Sequence, residues 1–91
     1  MRHPRITYKT IFNHAAKHWD LKWARCQEVF VKTGALDYNG VTEPFYQDDL
    51  ESDIEDNCDI VGWSGDFLLA MTIILSYIRT TGKDGLTIYH S

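Results

Sequence analysis

From residue 33 to residue 78 this chain contains no lysine and no arginine, while ten Asp and Glu stand in the same stretch. Such a run projects a strong negative field wherever it is displayed. Proline is scarce, with two residues, and no low-complexity tract occurs in a chain that is 44% hydrophobic. Disorder by composition is therefore excluded, because it needs low hydrophobicity with high net charge. Two cysteines, Cys26 and Cys58, are too few for a disulfide framework. The expectation is two free thiols. Long apolar runs are also missing. The longest, Phe67 to Ile78, covers 12 positions and is interrupted by Thr72 and Ser76. A membrane span needs about 20 residues, so this run predicts a buried helix. No apolar core follows the basic start Arg2-His3-Pro4-Arg5, so no secretory leader is expected and a cytoplasmic setting is.

Catalytic and cofactor motifs are lacking as well. Gly62-Trp63-Ser64-Gly65 does not have the glycine spacing of a nucleophile elbow, and no phosphate-binding glycine loop occurs. His14 and His18 are four apart, a spacing that can hold zinc, and Cys26 follows two turns later. Ala15 stands where the zinc-hydrolase helix carries its Glu. Asp53, Glu55, Asn57 and Asp59 alternate as in a calcium loop. Cys58 then occupies the place of the turn glycine, and Ser64 that of the bidentate Glu. The reading is no enzyme, no cofactor and no metal.

What is present predicts one small α+β domain spanning residues 1–91. Ile11, Ala15, Trp19, Trp23, Cys26 and Phe30 recur at helical steps, so a first helix is expected over about 9–32, with Trp19 and Trp23 in the core. The β-branched run Val29-Phe30-Val31 leaves a strand over 28–33 as the alternative. Asn39-Gly40 suggests a hairpin joining 35–38 to 41–42, or else a surface loop. A short acidic helix is expected over about 47–57. Ser64 as N-cap and Gly82 as terminator bracket a second main helix over about 64–81, apolar nearly all round and hence central. Leu86-Thr87-Ile88-Tyr89 reads as a closing C-terminal strand, part of a small β element.

Charge is segregated along the chain. Residues 1–32 carry seven Lys or Arg against two acids, whereas the net charge of the whole is −4. The blander reading of the acidic segment is a solvated helix partly neutralised by the basic first helix. The sharper one is a docking surface built from Phe45, Tyr46, Asp48, Asp49, Glu51, Asp53, Glu55, Asp56 and Asp59. Capping needs two or three of these acids, and Tyr is typical of interface centres. The expected partner is the basic surface of a nucleic-acid-binding protein, with carboxylates standing where phosphates would. The expected function is a non-enzymatic binding module, an inhibitor of the anti-CRISPR or anti-restriction class used by phages and mobile elements. One alternative is a small DNA- or RNA-binding regulator using the basic first helix, although a sequence pI of 5.4 weighs against direct nucleic-acid binding. The other alternative is a metal-dependent enzyme.

Overall fold

The computed structural model describes residues 3–37, 39–58 and 62–90. In chain order its elements are β1 (Arg5–Thr7), α1 (Tyr8–Trp19), α2 (Trp23–Cys26), a π-helical turn (Gln27–Lys32), α3 (Gln47–Asn57), α4 (Gly65–Thr81) and β2 (Thr87–Tyr89). The architecture is α+β.

Helix α4 is the hub. The Ser64 hydroxyl accepts the Phe67 amide proton at 3.2 Å, which satisfies one of the orphan donors of the first turn. Gly82, at φ 72°, ends the helix and donates its N–H to the Ile78 carbonyl. A left-handed residue here is least costly as glycine. Between these caps Ala70, Met71, Ile73, Ile74, Leu75, Tyr77 and Ile78 are buried. Burial of each large apolar side chain contributes about 1.5–3 kcal/mol, which explains why the most apolar segment takes the centre. Helices α1 and α3 and the π-helical turn all pack on α4.

The single helix expected over 9–32 is instead three pieces. Asp20 adopts a left-handed conformation (φ 53°, ψ 40°) and stops α1, and Lys22 is extended before α2 begins. Asp is among the few non-glycine residues that enter this region readily. The apolar rhythm continues across the break because both pieces face one core, so periodicity alone does not register it. After Cys26 the helix widens into the π turn, which buries Val29 and Phe30 side by side, and the strand alternative for 28–33 is not formed. The tryptophans are not the core residues they were expected to be. Trp19 is half-buried and Trp23 is 42% exposed, its ring edge-on to Phe12. Ile11, Phe12, Ala15, Cys26, Val29 and Phe30 fill that side of the core instead.

The C-terminal strand is present, and its partner is the start of the chain. β1 and β2 pair in parallel, with Ile6 opposite Ile88. Thr7 caps α1 directly after β1, its hydroxyl accepting the Thr10 amide proton. On the other side of β2 the segment 41–45 runs antiparallel. The Thr42 and Phe45 amides donate to the Ile88 and Leu86 carbonyls at 2.9 and 2.8 Å. Pro44, which has no N–H, sits in this flanking segment without costing a ladder bond. The type I′ hairpin at Asn39-Gly40 does not form, since Gly40 lacks the positive φ that such a turn requires. The Asp37 carboxylate accepts the Asn39 N–H at 2.9 Å and turns the chain as an Asx turn. Residues 41–42 therefore pair with β2 rather than with 35–37. Tyr38 of the expected hairpin lies outside the described residues. No helix among the described residues is long and apolar enough to cross a membrane.

Candidate functional site

Tyr46 is extended before α3 and gives the helix no side-chain cap. The cap comes from across the chain, where the Asp84 carboxylate accepts the Gln47 N–H at 2.6 Å. The same loop seats the Tyr46 ring. Gly85 has φ 71°, and a Cβ there would stand 2.9 Å from Tyr46 Cε1, so the ring lies directly on the glycine. His3 meets the ring edge-on, with centroids 6.0 Å apart. Thus a loop after α4 fixes both the start of the acidic helix and the aromatic residue in front of it. Tyr46 remains 38% exposed.

Leu50 is buried and pins α3 to the core. Asp49 and Asp53, one turn apart, share one flank of the helix. Glu51 and Glu55 share another, about 200° further round. The two flanks meet different surroundings. The Asp49 and Asp53 flank borders a groove of about 510 Å³ between α3, the segment 41–46 and the start of α4. Leu50, Phe67 and Met71 contribute apolar lining, Phe45, Tyr46 and Trp63 contribute rings, and Asp37 and Glu43 add two further carboxylates. Its described lining contains no Lys, Arg or His. Trp63 and Phe67 meet edge-to-face at 4.9 Å, and the Trp63 amide donates to the Asn57 carbonyl at the end of α3. The Glu51 and Glu55 flank borders a smaller hollow of about 340 Å³, lined also by Ile54, Leu75 and Arg79. There the charge is partly answered, because Arg79 Nη2 lies 3.0 Å from Glu51 Oε2.

The sequence-predicted docking residues therefore separate. Phe45, Tyr46, Asp49 and Asp53 line the groove; Glu51 and Glu55 lie at the second hollow. Asp48 and Asp56 are exposed and line neither. Asp59 lies outside the described residues. Trp63, Phe67, Val41, Asp37 and Glu43 belong to the groove but were not among the sequence candidates. Phe67 reads in sequence as one more apolar residue of the central helix. Trp63, next to a helix cap, carries a signal only if an aromatic ahead of an N-cap is treated as surface.

Among the described residues, no Lys or Arg of positions 3–32 pairs with α3. Arg25 instead holds Asp66 through two hydrogen bonds, 2.7 and 3.0 Å, and Glu28 at 3.0 Å. The bond to Arg25 keeps the Asp66 carboxyl below the usual carboxylate range. Lys9, Lys17 and Lys22 are exposed.

His14 and His18 lie close, with ring centroids 4.4 Å apart, but Cys26 is buried with its thiol directed at the Phe12 carbonyl. His14 is buried, and its Nε2 is 3.3 Å from Ser76 Oγ. Burial, then the charges of His18 and Lys17, push its imidazole below the ordinary histidine range. Asp53, Glu55 and Asn57 are helical and do not form a calcium loop. Among the described residues no group of three or more His, Cys, Asp or Glu side chains gathers as metal ligands. Comparison with known families, with characterised proteins and with solved structures finds no match for this chain.

Proposed function

We propose that this chain is a non-enzymatic binding module that docks the acidic face of α3, with the aromatic groove beside it, on a basic surface of a nucleic-acid-binding protein. The observation that carries this reading is the groove at Tyr46, Asp49 and Asp53. It combines one exposed ring, Tyr46, and three half-buried ones, Phe45, Trp63 and Phe67, with carboxylates, and has no described cation in its lining. Apolar and aromatic lining supplies affinity when water is expelled, and a rim of one charge sign speeds encounter and selects partners of the other sign. Carboxylates spaced along α3 would occupy the partner's phosphate-binding cations, so docking and nucleic-acid binding by that partner would compete. The module would then act as an inhibitor.

The test is affinity capture from a nuclease-treated host lysate, followed by binding measurements with the purified partner. Neutralising Asp49, Glu51, Asp53 and Glu55 to Asn or Gln should leave the fold intact and weaken binding, chiefly by slowing association. Added salt should weaken the parent complex. Replacing exposed Lys9, Lys17 and Lys22 should change little. The opposite pattern would favour direct nucleic-acid binding through the basic segment, the reading supported by the exposed Trp23 next to Lys22.

A further inference from the structure

We infer that the groove is the seat for a Lys or Arg side chain of the partner, presented next to a large apolar residue. This inference rests on the docking reading above and narrows it from the whole acidic segment to one flank of α3. The second hollow carries its own cation, Arg79, paired to Glu51. The groove carries none among its described lining, and neither Asp49 nor Asp53 has an ion-pair partner among the described residues. Charge complementarity therefore assigns the missing cation to the partner.

Shape points the same way. A groove of about 510 Å³ is large enough for more than one side chain. Long cationic side chains lay their alkyl stems on apolar surface and keep the charged head at a polar edge. Phe45, Tyr46 and Phe67 offer such a surface, and Asp49 and Asp53 supply the edge. An aromatic face also attracts the cation itself. The neighbouring apolar residue of the partner would fill the remaining space over Leu50, Met71 and Trp63. Val41, 51% exposed at the groove's border, would be covered in the complex.

The experiment uses the full chain and a fluorescein-labelled peptide of alternating Lys and Leu. A Lys–Ser peptide of equal charge and a Glu–Leu peptide of equal apolarity serve as comparisons. Two double variants remove the same charge: Asp49→Asn with Asp53→Asn, and Glu51→Gln with Glu55→Gln. Circular dichroism and a thermal melt establish that each is folded. The expected result is that the Lys–Leu peptide binds the parent more tightly than either comparison. The Asp49/Asp53 variant should weaken that binding by about tenfold or more, as loss of a largely desolvated charge partner does. The Glu51/Glu55 variant should bind within about twofold of the parent, as rim charges do. Tyr46→Ala should weaken binding and Tyr46→Phe should preserve it, since the ring rather than the hydroxyl is used. Equal losses from the two double variants would overturn the seat and leave the broader acidic docking reading standing. Equal binding of the Lys–Leu and Lys–Ser peptides, or no binding of Lys–Leu by the parent, would overturn it too. Failure of the broader reading shows itself differently, as normal binding of the purified partner to the fourfold-neutralised variant.

Discussion

Replacing Ile74 with Ala probes the centre of the fold. Ile74 is 0% exposed in the middle of α4. The substitution removes three carbons, worth about 0.8 kcal/mol each in transfer, or about 2.4 kcal/mol in all. The cavity left behind adds about 24 cal/mol per Å³ that the surroundings fail to fill, so an unrelaxed 40 Å³ costs roughly 1 kcal/mol more. A loss of about 3 kcal/mol is expected, within the ~2–5 kcal/mol range of such truncations. For a domain of this size each kcal/mol moves Tm by about 4–8 °C, so the midpoint should fall by roughly 12–24 °C. Thr80 lies exposed on the same helix, and Thr80→Ala should stay within about 0.5 kcal/mol of the parent. Thermal and urea unfolding followed by circular dichroism measure both. An Ile74→Ala variant that melts within about 4 °C of the parent would mean that α4 is not the buried hub.

Two further expectations follow from the same packing. His14 is buried against Ser76, Tyr77 and His18, and its proton affinity in the folded state lies below the ordinary value of 6.5. The unfolded chain therefore binds more protons, so His14 contributes stability above pH 6.5 that is lost as pH falls from there through its lower folded-state value. His14→Gln should flatten the stability profile as pH falls below about 6.5, and parallel profiles for parent and variant would refute this. Cys58 is exposed and Cys26 fully buried, with its thiol pushed up by burial. One thiol should react promptly with Ellman's reagent in the native protein and the second only on unfolding; two fast thiols would contradict the packing of Cys26.

The parts of this fold that are legible in sequence are those specified locally. Ser64, Gly82 and the apolar run between them define α4 without reference to anything distant, and the structure places the helix at Gly65–Thr81. The acidic helix and the C-terminal strand are legible for the same reason. What sequence does not show is set by pairing at long range or by a single residue's backbone. β1 is three residues long and is a strand only because β2 lies beside it. Asp20 breaks the first helix through a left-handed φ that no hydrophobic pattern encodes. Asn39-Gly40 does not make the hairpin turn, and segment 41–45 pairs with β2 instead. The candidate site divides along the same line. The carboxylates of α3 are visible as a run, but their division into a groove flank and an Arg79 flank appears only once α4 is in place. Trp63, just before the α4 cap, and Phe67, in its first turn, line the groove beside α3, which sequence spacing does not reveal.

The central claim is that the groove bordered by Tyr46, Asp49 and Asp53 is where a basic partner docks. Titration of the nitrogen-labelled protein with the Lys–Leu peptide, followed by amide chemical shifts, tests it most directly. The perturbations should cluster at 41–46, at Asp49 and Asp53, and at Trp63 and Phe67, and should diminish with added salt. Shifts centred on Lys9, Lys17 and Lys22, or spread evenly over both flanks of α3, would contradict it.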